Sequence, residues 1–146
     1  MGRKRFRYLK HMADVEFEAY GDSFEEALEN AALALLGIVL DVKKISALGN
    51  PSKSLKIVEK ADSIENLAWF LLQDIVTKRS SLYLNAFGFQ IEHLRKSAGE
   101  FVIEGRLFYK DTDRDYTLLD VKAVTPSGFE VLISKSRCTI RVIVDV

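Results

Sequence analysis

The chain has 146 residues, 48% of them hydrophobic, and its 21 basic and 21 acidic side chains cancel to a formal charge of zero. That size suits one domain around one core, and the composition excludes a disordered chain. Zero net charge disfavours a protein held to nucleic acid by bulk attraction to phosphate, and the single Cys138 leaves no partner for an internal disulfide or a thiolate metal cage.

The balance conceals a local asymmetry. Residues 1–10 carry five basic groups and no acid, whereas residues 11–30 carry seven acids and no Lys or Arg. A single domain over residues 1–146 is expected, with 1–5 as a basic tail. No apolar h-region follows that basic start, as a signal peptide requires. The longest apolar run, near residues 31–40, contains Gly37 and is too short to span a membrane. These features predict an intracellular, cytoplasmic protein.

In chain order, strands are predicted at 8–11 and 15–20. In the second, Val15, Phe17 and Ala19 alternate with Glu16 and Glu18, the period of a half-buried antiparallel strand. Gly21-Asp22 turns the chain into a helix over 24–39, whose apolar residues recur at three- and four-residue steps. Ser23 and Glu26 have capping-box spacing. A short strand is expected near 55–57. A second amphipathic helix runs from Asp62 to about Val76, with Asp62 and Glu65 offering another capping box. Strands follow at 86–94, 100–110, 117–124, 130–134 and 138–144, separated by turns at 97–99 and 111–115. Consecutive strands with short turns pair antiparallel. The expected fold is α+β: a mostly antiparallel β-sheet with two amphipathic helices packed on it.

Few residues suggest chemistry. The sequence has no GxGxxG, Walker loop, GxSxG or HExxH. His11 and His93 lack metal-ligand spacing, and Cys138 sits in an apolar strand pattern that reads as packing. The acidic run at 111–115 starts like an EF-hand loop. Its sixth and twelfth positions are Tyr116 and Lys122 instead of Gly and Glu. Asp14, at a strand entrance, and Asp145, in an apolar strand end, stand out. Asp145 adjoins Val146, so a terminal carboxylate there would stand beside an acidic side chain and repel it unless a cation intervened. Convergence of Asp14 on the pair would gather oxygen donors of the kind hard cations favour. A frayed terminus is the alternative.

Four motifs bear a family resemblance. The segment from His11-Met-Ala-Asp14 through the alternating strand, Gly21 and the alanine-rich helix resembles the opening of the archease family. Asp62 leading into Leu67-Ala-Trp-Phe-Leu-Leu resembles the family's Asp-headed second helix. Val121-Lys122-Ala-Val-Thr125 resembles its Val-Lys-Ala-hydrophobic-Thr motif, and Val142-Ile-Val-Asp145-Val146 its hydrophobic-Asp-hydrophobic ending. The chain departs from the family at Pro126-Ser127, where the family often has an aromatic residue and then His.

The resemblance implies a non-catalytic protein cofactor of the tRNA-splicing ligase, which joins 2′,3′-cyclic-phosphate or 3′-phosphate ends to 5′-hydroxyl ends with GTP and metal. The cofactor would promote guanylylation of the ligase and its multiple turnover, touching RNA only indirectly and no membrane. The implied site is a divalent metal, of the Ca²⁺ or Mg²⁺ class, at Asp14, Asp145 and the carboxylate of Val146. Asp62, Lys122 and His11 are candidates for partner contact or support. Rival readings are a small metal-dependent phosphoesterase, an RNA-binding module using the basic start, and a chaperone-like modulator of RNA-modifying enzymes.

Overall fold

The structure, a computed structural model, describes residues 4–9 and 14–146. In chain order its elements are β1 (Phe6–Leu9), β2 (Val15–Gly21), α1 (Phe24–Val39), α2 (Val42–Ser46), β3 (Lys53–Ala61), α3 (Ile64–Leu82), β4 (Asn85–Ser97), β5 (Glu100–Lys110), β6 (Ala123–Val124), β7 (Glu130–Ile133) and β8 (Cys138–Asp145). The α+β class and the antiparallel pairing match the sequence reading. The strands divide between two sheets, however. One has the order β1-β2-β8-β6, with β7 also paired to β8, and the other has the order β3-β5-β4.

The two long helices lie between these sheets. α1 packs on β2 and β8 and also on β4, and α3 packs on β3 and β5 and also on β6 and β7. The reason is visible in α1. Its buried residues include Ala27, Leu28, Ala31, Ala32, Ala34, Leu35 and Leu36, a set too wide for the single stripe that one sheet would cover. Sandwiching the helices buries both sides, and the core residues Phe17, Leu71, Ile103 and Val142 come from both sheets and a helix between them.

Local chemistry fixes the helix starts. Ser23 Oγ accepts the Glu26 amide at 3.1 Å, and the Glu26 carboxylate accepts the Asp22 amide at 3.3 Å. Gly21 is required there, because a Cβ would collide with the backbone of Glu26 and Ala27. The cap of α3 is Ser63, which accepts the Asn66 amide at 3.1 Å, and not Asp62 as the spacing suggested. Asp62 instead accepts from the Asn66 side chain at 2.9 Å. The 97–99 turn forms as expected, with Ala98 and Gly99 both at positive φ, the geometry of a tight hairpin.

Other expectations are corrected. The first strand begins at Phe6, and the amide of Tyr20 donates to the carbonyl of Arg5 at 2.8 Å, so the basic start is tied to the sheet edge from Arg5 onward. Residues 1–3 of the expected tail lie outside the described residues. α2 was not anticipated. Asp41 caps it by accepting the Lys44 amide at 3.2 Å, and Ile45 anchors it in the core. Of the strand expected at 117–124, only Ala123–Val124 forms a ladder. The Leu118 amide is spent on the carbonyl of Val39, at the C-terminal end of α1, and Leu118 itself is exposed. The 111–115 run opens that irregular crossing and is not a hairpin turn. Among the described residues no helix is long and apolar enough to cross a membrane.

Candidate metal centre

The register of β2 against β8 places the candidate residues. Val15 pairs with Val144, Phe17 with Val142 and Glu18 with Arg141. Asp14 stands one residue ahead of the first pair, at the level of Asp145. On the other edge of β8, Ala123 pairs with Asp145, and the Lys122 amide donates to the Asp145 carbonyl at 2.8 Å. One more step along that register sets Lys122 at the level of Val146. Asp14, Asp145, Val146 and Lys122 therefore gather at one end of the five-stranded sheet.

Strand alternation sorts the faces. Ile140, Val142 and Val144 are fully buried toward the helices, and Asp145 is exposed on the opposite face. On β2, Phe17 and Ala19 point inward, which assigns Asp14 to the face of Asp145. On the same face, two rungs away, Glu18 is compensated. Arg7 donates to it through Nη2 at 2.8 Å and Nε at 3.1 Å, and Arg141 through Nη2 at 3.3 Å. The Arg7 hydrogen bonds, with help from Arg141, hold the Glu18 carboxyl below its ordinary range although its burial opposes this. Among the described residues neither Asp14 nor Asp145 has an ion pair, although like charges opposite each other across a sheet repel.

That pair, without an ion pair among the described residues, is the observation on which the fit of a cation turns. The candidate ligands among the described residues at this end, Asp14, Asp145 and Val146, offer oxygen, which suits a hard divalent ion and not a soft metal. Among the described residues no group of three or more His, Cys, Asp or Glu side chains is placed to hold a metal. A complete shell here would need the carboxylate of Val146 as well as the two aspartates.

The remaining candidates lie elsewhere. His11 lies outside the described residues. Asp62 precedes α3, whose neighbours run from Pro126 and Phe129, beside Glu65 and Asn66, through Val124, beside Trp69, to Asp120, beside Arg79. Asp62 thus stands at the end of α3 away from Lys122. His93 is exposed on β4. Cys138 is buried, and burial raises its thiol pKa, as expected of a packing residue.

Sequence reasoning missed the clamps that hold β6. Trp69 Nε1 donates to the Val124 carbonyl at 3.0 Å, and the Gln73 side-chain oxygen accepts the Val124 amide at 2.8 Å. The two-residue strand is thereby pinned through both backbone groups of Val124. Polar Gln73, next to the apolar stripe of α3, was the signal available in the sequence.

The fold and this site define a three-layer α+β domain that presents acidic residues at one end of its larger sheet. The model of the archease protein family (MTH1598/TM1083) matches residues 6–146, and the chain belongs to that family. It is 29% identical over 147 residues to Protein archease of Methanosarcina mazei, covering 98% of this chain and 97% of that one. It is 30% identical over 155 residues to Protein archease-like of Caenorhabditis elegans, covering 99% and 91%. Among solved structures it is similar to Methanobacterium thermoautotrophicum protein 1598, with TM-score 0.81, 22% identity and coverage of 97% and 99%. A Thermotoga maritima structure described as an archease, possible chaperone, matches with TM-score 0.53, 21% identity and coverage of 100% and 98%.

Proposed function

We propose that this chain is a non-catalytic activator of the GTP-dependent tRNA-splicing ligase, promoting guanylylation of that enzyme and its multiple turnover. Membership of the archease family supports a role exerted through a partner. The observation that carries the reading is the placing of Asp14 level with Asp145 on the solvent face of the sheet, neither having an ion pair among the described residues.

Asp14, Asp145 and the carboxylate of Val146 would hold a divalent ion of the Ca²⁺ or Mg²⁺ class. Such an ion, when bound, supplies positive charge that offsets phosphate charge near a nucleotide. The chain's own residues present this site at an exposed sheet end, where a partner can reach it. β6, held by Trp69 and Gln73, fixes the backbone of Lys122 against Asp145, and the exposed Lys122 offers one cation to a phosphate or a partner carboxylate.

The test is guanylylation turnover of the cognate ligase with and without this protein. Stimulation is expected from the wild type and loss of it from Asp14→Ala and Asp145→Ala. Equal stimulation by both variants would remove the acidic site from the mechanism, and no stimulation by wild type would remove the function.

A further inference from the structure

We infer that the solvent face of the β3-β5-β4 sheet is a docking surface for the phosphate backbone of an RNA strand. The cross-strand register builds this face in rows. Lys56, Arg106 and Gln90 form one row, Val58, Glu104 and His93 the next, and Lys60, Val102 and Arg95 the third. Two cationic rows therefore flank a central carboxylate. They are four residues apart on β3, about 13 Å. The register shift between Ile91 and His93 is a bulge that leaves both Glu92 and His93 exposed.

The arrangement is not one that stability favours. Lys56 lies directly opposite Arg106, a like-charge pair that weakens a ladder. Two acids restrain the cations. Glu104 lies 3.8 Å from Lys56 Nζ and 3.5 Å from Arg95 Nη2, and Glu92 lies 3.3 Å from Arg106 Nε. Lys60 has no ion pair among the described residues. Four cations thus meet two acids, and the side chains of Lys56 and Arg95 remain more than half exposed. The far end of the face is covered, where Lys110 Nζ donates to the carbonyls of Ser46 and Leu48 beside α2.

The chemistry favours a polyanion over a protein surface. Protein interfaces centre on aromatic and apolar anchors and are depleted in Lys. Here the exposed large apolar residue is Val58 alone, set among lysines. Phosphate backbones, by contrast, are gripped by spaced Lys and Arg side chains. That the polyanion is RNA rests on the proposed role beside an RNA ligase; the cationic rows do not depend on it. With a net charge of zero on the whole chain, this binding is local, weak and salt-sensitive.

The test is fluorescence anisotropy of a labelled single-stranded RNA of about 20 nucleotides with the full-length protein, without ligase and with chelator present. Four phosphate contacts predict a log–log salt slope of about −2.8. Lys56→Gln with Lys60→Gln should flatten the slope by about 1.4 and weaken binding by about tenfold at low salt. The same double variant should still stimulate ligase guanylylation without RNA, and Asp14→Asn should bind RNA as wild type does. Absence of salt-dependent binding, binding unchanged in the double variant, or displacement of RNA by a small excess of poly-glutamate would overturn the inference. None of those outcomes touches guanylylation, so failure here is distinct from failure of the proposed function.

Discussion

Glu59 on β3 lies beside the carboxyl group of Asp74 on α3 across the contact between sheet and helix. Glu59 falls between the buried Ile57 and Ala61 on the helix-facing side of β3, where an apolar residue is expected. Burial first, then the neighbouring Asp74, push its pKa up to about 8, with Lys78 opposing. The folded protein therefore holds a proton that the unfolded chain has released above about pH 4.5. Stability from this group is present at low pH and falls as pH rises toward 8. Glu59→Gln, which keeps a donor for Asp74, should flatten that decline and raise the melting temperature above pH 8 by roughly 3 °C. Thermal melts from pH 5 to 9 check it, and an unchanged slope in the variant would show that the two carboxyls share no proton.

Glu18 has the opposite sign. Its carboxyl is held low by Arg7 and Arg141, so its contribution is present above its ordinary carboxylate pKa and is lost as pH falls below it. Glu18→Gln leaves two guanidinium groups facing a neutral amide in a position only 7% exposed. The variant should melt roughly 3–6 °C below wild type at pH 7. The gap should narrow as pH falls from the ordinary carboxylate range toward 3. A constant gap across that range would mean the loss is one of packing and not of charge.

Asp14 and Asp145 yield a paired expectation. Repulsion across the rung costs a few tenths to 1 kcal/mol when no cation is present. Asp145→Asn should therefore melt slightly higher than wild type in chelator at low salt. In millimolar Ca²⁺ or Mg²⁺ the order should reverse, because the wild type gains stability by binding and the variant does not. Extending the chain beyond Val146 turns its carboxylate into an amide and should cut divalent-ion affinity at least about tenfold by calorimetry. Full affinity in the extended chain would exclude Val146 as a ligand.

Much of the fold was legible because it rests on period. The alternation of β2 and the stripes of α1 and α3 are local signals, and Ser23 and Glu26 announced a cap that forms. The division into two sheets was not legible, since β3 lies between the helices in sequence yet pairs with β5, residue 57 against 105. Nor could spacing show that Ser63 outcompetes Asp62 for the Asn66 amide. The placing of Asp14 level with Asp145 needed a register that joins residues 131 positions apart. Position along the chain singled out both aspartates, and the family resemblance added that they belong to one site. Lys122 illustrates the limit: its strand pattern suggested a full ladder over 117–124, but Leu118 and Leu119 turn their amides to the end of α1.

β6 is the least self-sufficient part of the candidate site. With two ladder residues it cannot hold its own position against β8, and Gln73 and Trp69 of α3 supply what the ladder lacks. Replacing Gln73 with Leu preserves bulk and helix propensity but leaves the Val124 amide without its acceptor. An unsatisfied buried amide costs about 1–3 kcal/mol, which lowers melting by roughly 2–10 °C in a chain of this length. Gln73→Glu restores an acceptor at the same reach. If β6 positions Lys122 and Asp145 for a partner, Gln73→Leu should also reduce ligase stimulation at temperatures well below its melting point, and Gln73→Glu should recover it. Full stimulation by a correctly folded Gln73→Leu would show that the site does not depend on this clamp.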